Sequence, residues 1–193
     1  MSENSFQIRL YGEAPGSIVD GPGIRYGVFC QGCSHNCEDC HNPDSHSYTG
    51  GRLVSVDEIV QNIHNAQSTR GVTLSGGEPF DQATAMAELA RRLKADGYDV
   101  WCYSGYTFEY LFEIANSEPA LSNSKIDAKG VKGLLASVDV LVDGPFVKAK
   151  KSYDALYRGS TNQRLVDVKK SLSSGKFVEW RQEFERPAIP EAW

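Results

Sequence analysis

Four of the five cysteines in this chain lie between positions 30 and 40, within the segment FCQGCSHNCEDCHNPD. Thiols at such short spacing are disulfide partners, metal ligands or catalytic groups, and in a reducing compartment the last two are the more frequent. The fifth cysteine, Cys102, stands alone in an apolar stretch and is predicted to be a buried core residue. The spacing of Cys30, Cys33, Cys37 and Cys40 therefore needs a chemical explanation.

Four kinds of site use closely spaced thiols. A structural zinc site usually has two C-x2-C pairs a dozen or more residues apart, whereas only three residues separate Cys33 from Cys37 here. A ferredoxin-like electron carrier has a different spacing, and no thioredoxin-like helix start follows a redox-active pair. In the fourth arrangement Cys33, Cys37 and Cys40 bind an iron–sulfur cluster and leave one iron open, as a catalytic metal site does. The spacing favours this fourth arrangement and leaves the others as alternatives.

The overall composition narrows the classes of protein to consider. The chain has 193 residues and a formal net charge of −5. Its length suits one domain, and an acidic chain is a poor candidate for binding nucleic-acid phosphates. No apolar run approaches the ~20 residues that span a bilayer, and the first residues lack the pattern of a secretory signal. We therefore expect a single-domain cytoplasmic protein that binds neither nucleic acid nor membrane.

Strand-like and helix-like segments alternate along the chain. Short apolar runs predict buried strands, while apolar residues at helical spacing, with Ser55 and Glu58 as a capping box, predict helices. This order is typical of an α/β protein with a parallel sheet. The predicted strands are 24–30, 71–74, 99–103 and 138–143, with a possible edge strand at 176–180, and the predicted helices begin near 56, 81 and 107. The core is expected over about 8–180, and the tail 181–193 is expected to lie over the surface.

Chemically unusual loops follow each of the four main predicted strands. They are the cysteine loop, SGGEP (75–79), YSGY (103–106) and the segment VDGPF (142–146). Function in parallel sheets gathers at the carboxyl ends of the strands. The strand pattern therefore predicts that these loops meet on one rim.

C-x3-C-x2-C after a first strand, followed one strand later by SGGEP, resembles the signature of the radical S-adenosylmethionine superfamily. The resemblance implies a partial (β/α) barrel with a parallel sheet. It also implies a [4Fe–4S] cluster on Cys33, Cys37 and Cys40 whose open iron binds S-adenosylmethionine, which leaves Cys30 as a packed bystander. The implied cofactor-binding residues lie in the cysteine loop, the glycine-rich stretch and two later loops: Asp39, His41, Ser75, Gly76, Gly77, Glu78, Ser104 and Asp143.

The segment VDGPGIR (19–25) resembles the opening segment of the activases of glycyl radical enzymes. These activases remove a hydrogen atom from a backbone glycine of a partner protein. The resemblance implies that Asp20 and Arg25 help to position the partner's glycine loop.

Three later stretches resemble the activating proteins of anaerobic ribonucleotide reductase: WCYSGYT (101–107), VDVLVDGPF (138–146) and RGSTNQR (158–164). In the last of these, Arg158, Asn162 and Gln163 are predicted to meet the reductase, with a turn whose side chains bond the backbone as the alternative. Two positions depart from the family pattern. Asp39 stands where many members have an aromatic residue, and Pro145 stands where many have lysine.

The resemblance implies an oxidoreductase that takes one electron from a small donor such as flavodoxin or ferredoxin. It would cleave S-adenosylmethionine at the cluster to a 5′-deoxyadenosyl radical and leave a glycyl radical on the anaerobic ribonucleotide reductase. Two alternatives remain. The chain would activate another glycyl radical enzyme, such as pyruvate formate-lyase, or it would be a zinc-stabilised interaction module without catalysis.

Overall fold

A computed structural model of the chain describes residues 6–117 and 126–182. In these residues the strands are Gln7–Ser17 (β1), Arg25–Cys30 (β2), Arg52–Ser55 (β3), Gly71–Gly76 (β4), Asp99–Tyr103 (β5), Val140–Asp143 (β6) and Arg164–Asp167 (β7). The α-helices are Val56–Asn65 (α1), Ala83–Ala95 (α2), Phe108–Asn116 (α3), Ala128–Ser137 (α4) and Val168–Ser174 (α5). The strands form one sheet in the order β3-β1-β2-β4-β5-β6-β7.

The centre of this sheet is parallel. Strands β2, β4, β5 and β6 are neighbours and all run in the same direction, which confirms the predicted α/β class and its parallel strands. The three outer strands β1, β3 and β7 pair antiparallel, so the sheet is mixed rather than wholly parallel. In the described residues β3 and β7 end the strand order and do not pair with each other, and the partial barrel stays a prediction.

The antiparallel strands were missed because their sequences give weak strand signals. Strand β1 contains Gly12, Pro15 and Gly16, and its pairing with β2 has two register shifts. The possible edge strand at 176–180 is present only as one antiparallel bridge, between Glu179 and Val166 of β7. The predicted tail lies outside the described residues from position 183 onward.

Local side-chain bonds fix where the helices begin. Ser55 caps α1 by accepting a hydrogen bond from the backbone N–H of Glu58 at 3.1 Å, as the capping box predicts. The helix predicted from 81 is preceded by a 3-10 turn over Pro79–Gln82, so α2 begins at Ala83. No helix in the described part of the chain is long and apolar enough to cross a membrane.

Two apolar clusters cover the two faces of the sheet. The large one combines the apolar faces of the helices with alternate strand residues, such as Val100 and Cys102 of β5. Trp101 points to the other face, where it packs with Val140 and Val142 under Tyr157 and Trp180. Because strand side chains alternate between faces, the parallel strands are held from both sides and their carboxyl ends are fixed relative to one another.

Candidate active site

The loops that follow β2, β4, β5 and β6 line one cleft of about 370 Å³. The structure thus brings together the four loops that the strand pattern places on one rim. The cleft is lined by these residues singled out in the sequence: Asp20, Cys33, Cys37, Cys40, His41, Ser75, Gly76, Gly77, Glu78, Ser104 and Gln163. It is not lined by Arg25, Asp39, Asp143, Arg158 or Asn162.

The four clustered cysteines fall into two groups. Cys33, Cys37 and Cys40 are half-buried free thiols on the wall of the cleft. Cys30 has no exposed surface and belongs to the large apolar cluster, which agrees with its predicted role as a packed bystander. Burial raises the pKa of Cys33 to about 11 and also raises the pKa of Cys37. Since metals bind the thiolate, loading the site releases protons.

The residues around this wall fit an iron–sulfur cluster. No three His, Cys, Asp or Glu side chains in the described ranges are arranged to hold one metal ion. A cluster instead spreads its thiolate ligands over several irons. His46 lines the same cleft, and its buried Nε2 atom has no hydrogen-bond partner within the described chain. A buried polar atom without a protein partner is satisfied by water or by a bound group, and this ring nitrogen belongs to a residue of the cleft that the three thiols line.

The glycine-rich stretch packs directly against the cysteine loop. The backbone N–H of Gly77 donates to the carbonyl of Cys30 at 2.7 Å, and that of Glu78 donates to the carbonyl of Gly32 at 2.8 Å. A Cβ atom on Gly77 would lie 2.2 Å from the carbonyl oxygen of Gly32. Glycine is therefore required at 77 for the approach of two loops, which places Ser75 and Gly76 on the cleft wall beside the thiols.

Glu78 lies at the centre of a buried hydrogen-bond network. Its carboxylate is 1% exposed and accepts four hydrogen bonds. The donors to Oε1 are the N–H of Phe80 at 3.0 Å and the hydroxyl of Ser104 at 2.9 Å. The donors to Oε2 are the N–H of Gly105 at 2.8 Å and His35 Nε2 at 2.9 Å.

An ionised carboxylate has about four acceptor positions, so protein donors take up the capacity of Glu78. Glu78 lines the cleft, and because its carboxylate already has four protein donors, its predicted contact with the cofactor stays a prediction. Burial lowers the pKa of its partner His35, but the hydrogen bond and charge of Glu78 outweigh burial and raise that pKa above its ordinary value.

The contacts of Asp143 in the structure are all with the protein, and its predicted cofactor contact stays a prediction. Its side chain is fully buried and lies outside the cleft lining. It accepts a hydrogen bond from the N–H of Phe108 at 2.7 Å, at the start of α3, and two from the guanidinium of Arg164 at 2.9 and 2.5 Å. These contacts raise the pKa of Arg164. Asp143 therefore fixes the ends of β6 and α3.

Arg25 is buried in the structure, so its predicted help in positioning the partner's glycine loop would act through the residues that it holds. It is 1% exposed, pairs with Asp99 at 2.5 Å and lies over the ring of Trp101 at 5.3 Å. Its Nε donates to the hydroxyl of Thr73, which in turn donates to the carbonyl of Asp20. Arg25 therefore holds the 19–25 segment in place, and Val19 and the half-buried Asp20 of this segment line the cleft.

The three predicted partner-binding residues near 160 bond the backbone of their own turn or of the loop after β6. Gln163 is buried, accepts from the N–H groups of Gly159 and Ser160, and donates to Gly144. Asn162 donates to the carbonyl of Pro145 at 2.9 Å. Arg158 donates to the carbonyl of Gln163 at 3.3 Å. These bonds fit the alternative of a backbone-bonding turn, while partner binding by the three residues stays a prediction; Arg158 also lines a neighbouring groove.

The two departures from the family pattern are at Asp39 and Pro145. Asp39 has φ of +57° and points to the surface, where Lys148 pairs with it at 3.2 Å. Lys148 follows Pro145 by three positions, but it pairs with surface carboxylates and does not line the cleft. An aromatic ring does reach the cleft from elsewhere, because Phe146 packs on His41 with ring centroids 5.5 Å apart.

Sequence reasoning missed several residues of the cleft. His35 and His46 are not among the predicted site residues, although both lie close to the cysteines in sequence and line the cleft. Phe29, Tyr103 and Phe146 were read as strand or loop residues, and they also line it. Two signals were available in the sequence. The histidines lie near the cysteine motif, and Phe29 and Tyr103 lie at the carboxyl ends of strands, where functional residues of such sheets gather.

A second groove of about 420 Å³ adjoins the cleft and shares Asp20, His41 and Tyr103 with it. Its lining includes four large apolar side chains that are 66–90% exposed: Ile18, Val19, Tyr153 and Leu156. Exposed apolar residues grouped in one place mark an interaction surface. We call this feature the side groove.

The sequence is similar to a family of iron–sulfur proteins, which agrees with the thiol-lined cleft. Residues 19–166 match the family model of the 4Fe-4S single cluster domain. The chain is 33% identical to the anaerobic ribonucleoside-triphosphate reductase-activating protein of Vibrio cholerae, over 77% of this chain and 91% of that protein. The proteins of the same name from Escherichia coli K12 and Enterobacteria phage T4 are each 31% identical, over 77% and 81% of this chain and 92% and 90% of theirs.

Among solved structures, QueE from Escherichia coli is similar over 52% of this chain and 53% of its own, with 16% identity and a TM-score of 0.45, a likeness too low to bear on function. The sequence relationship alone covers nearly the whole described core. The chain belongs to the family of anaerobic ribonucleoside-triphosphate reductase-activating proteins.

Proposed function

We propose that this chain, as a single radical S-adenosylmethionine domain, activates an anaerobic ribonucleotide reductase by generating a glycyl radical on it. The observation that carries the proposal is the cleft itself. Its one wall holds the three half-buried thiols of C-x3-C-x2-C, and its other walls are the loops at the carboxyl ends of three neighbouring parallel strands. The relatives whose names state this activity are similar over most of the chain.

In this proposal Cys33, Cys37 and Cys40 hold a [4Fe–4S] cluster. When bound, the cluster and S-adenosylmethionine supply one-electron reductive cleavage to methionine and a 5′-deoxyadenosyl radical, which takes a hydrogen atom from a glycine of the reductase. The protein orients these groups and limits access of water. Ser75 and Gly76 line the wall beside the thiols, and the rings of His41 and Phe146 offer an apolar surface at its edge. The electron comes from a small donor such as flavodoxin or ferredoxin.

The proposal is tested by electron paramagnetic resonance of the anaerobically reconstituted and reduced protein. We expect a reduced [4Fe–4S] signal that changes shape when S-adenosylmethionine is added, because the open iron gains a ligand. With the reductase present, a glycyl radical signal should follow. About one zinc per chain and no iron or sulfide would instead favour the zinc module, although family membership already argues against it. A radical on pyruvate formate-lyase and none on the reductase would identify the alternative partner.

The side groove gives the partner a route to the cleft. A glycine in a protein backbone must enter the cleft together with its flanking residues, so the cleft has to open onto a surface that binds protein. Tyr153 and Leu156 present apolar side chains beside Asp20 at this opening. We propose that the reductase lays the segment carrying its glycine along the side groove.

Replacing Leu156 with aspartate should therefore weaken docking of the reductase. A charge on an apolar contact of an interface typically costs 1–2 kcal/mol or more, so the rate of glycyl radical formation at low reductase concentration should fall about tenfold. Leu53→Asp is a matched control, since Leu53 is also exposed but lies on β3 away from the cleft. Cluster content and the spectral response to S-adenosylmethionine should be unchanged in both variants. Equal rates for Leu156→Asp, Leu53→Asp and the unmodified chain would remove the groove from the docking surface.

A further inference from the structure

His35 lies between two of the cysteines of the motif and bonds to the glycine-rich stretch. Its Nε2 atom is 2.9 Å from the Oε2 atom of Glu78, and its ring meets Tyr106 edge to face with centroids 4.3 Å apart. A Cβ atom on Gly105 would lie 2.3 Å from Cδ2 of His35. The histidine ring therefore sits in a space that the loop after β5 leaves for it.

The cysteine loop has other contacts, but they differ in kind. Lys148 pairs with Glu38 and Asp39 at the surface, where all three side chains are about half exposed or more. Ser34 shares an exposed hydrogen bond of 3.0 Å with the hydroxyl of Tyr106. Exposed pairs of this type restrain a loop only weakly.

The bond from His35 instead ends on a carboxylate that is 1% exposed. That carboxylate also takes donors from the loops after β4 and β5, through Phe80, Ser104 and Gly105. Through one buried group, His35 therefore links the loop that carries the thiols to the two neighbouring loops that form the facing walls. Buried networks of satisfied polar groups fix geometry in this way.

We propose that His35 is a positioning residue for S-adenosylmethionine, an inference that rests on the proposed function. Backbone bonds from Gly77 and Glu78 already hold the start of the cysteine loop, at Cys30 and Gly32, against the glycine-rich wall. The hydrogen bond from His35 to Glu78 adds a link within the segment between Cys33 and Cys37, and so fixes the thiols against the wall that the cofactor also contacts. His35 is not a ligand of the cluster in this proposal. Its loss should therefore leave cluster assembly intact and weaken the binding of S-adenosylmethionine.

Two substitutions separate the hydrogen bond from packing. His35→Phe keeps a ring against Tyr106 and removes the donor to Glu78. His35→Gln keeps an N–H donor at a similar reach and loses the ring. Ser34→Ala is a control in the same loop, since it removes the neighbouring exposed bond, and His64→Phe removes a histidine–carboxylate pair with Asp96 on the far helix surface.

The readouts are iron and sulfide content and the dissociation constant of S-adenosylmethionine, titrated through the spectral change of the reduced cluster. Replacing a residue that supports a metal-site ligand typically costs 10–100-fold. We expect His35→Phe to hold the cluster at the unmodified level and to bind S-adenosylmethionine about 10–100-fold more weakly. His35→Gln should recover most of that loss, and both control variants should match the unmodified chain.

Three results would overturn the inference. The first is a dissociation constant for His35→Phe within about twofold of the unmodified chain. The second is loss of iron and sulfide from His35→Phe, which would make the residue a support for the cluster alone. The third is an equal loss of cofactor affinity in Ser34→Ala, which would show a general loosening of the loop. An unmodified chain whose spectrum ignores S-adenosylmethionine would overturn the proposed function itself, and this inference with it.

Discussion

Replacing Cys33, Cys37 or Cys40 with alanine is expected to abolish glycyl radical formation and to lower iron and sulfide content. Each thiol lines the cleft and is free, so each substitution removes one proposed ligand. The loss of activity should be at least about 100-fold, above the 10–100-fold typical for residues that only support a ligand. Iron and sulfide analysis of anaerobically reconstituted protein measures the first effect, and the radical signal on the reductase measures the second.

Cys30 provides the internal control for this series. It lies three residues before Cys33 but is fully buried in the apolar cluster. Cys30→Ala should keep the cluster and its response to S-adenosylmethionine, at a cost of about 1–2 kcal/mol in stability for the small cavity. Loss of the cluster in this variant would indicate that the unmodified site has four cysteine ligands and no open iron. The chain would then be an electron carrier rather than a radical enzyme.

Glu78→Ala is expected to destabilise the protein even when no cluster or cofactor is present. Its carboxylate accepts four hydrogen bonds in a buried position, including those from Ser104 and His35. A buried donor left without its acceptor costs roughly 1–3 kcal/mol, and partial access of water offsets some of this. We expect the free energy of unfolding of the cluster-free protein, measured with denaturant, to fall by about 3–5 kcal/mol.

A matched surface substitution separates this effect from a general loss of charge. Glu58 is 52% exposed and pairs with Arg52, so Glu58→Ala should cost no more than about 1 kcal/mol. Suppose instead that cluster-free Glu78→Ala were as stable as the unmodified chain and had lost only its affinity for S-adenosylmethionine. Glu78 would then contact the cofactor directly, as the glycine-rich motif suggests, and the network would be incidental.

The parallel strands and the loops behind them could be predicted because their signals are local. Strand 99–103 matches the predicted range, and the cysteine loop follows a strand that ends at Cys30. The roles of charged residues were harder to predict, because their partners lie far away in the sequence. Arg25 pairs with Asp99, which lies 74 positions later. A single sequence shows that such a group is charged, and it does not show whether a partner already neutralises it.

The same limit applies within the site. The three thiols form a compact motif, and their location in the cleft agrees with the prediction. The role of His35 depends on Glu78, 43 positions away, and the role of Asp143 depends on Arg164 across an antiparallel pair. Motif spacing identifies residues that act through their own chemistry. It does not identify residues that act by holding others.

The parallel pairing of β2 with β4 also bears on when the site can form during folding. This pairing joins residues such as Arg25 and Gly71, and the walls of the cleft come from loops spread between Cys33 and Phe146. Contacts between distant segments require closure of long loops before they stabilise the chain. The three thiols therefore meet their facing walls only after the central strands have paired. The thiol segment spans only eight residues, whereas the complete cleft, with all its walls, is a late product of folding.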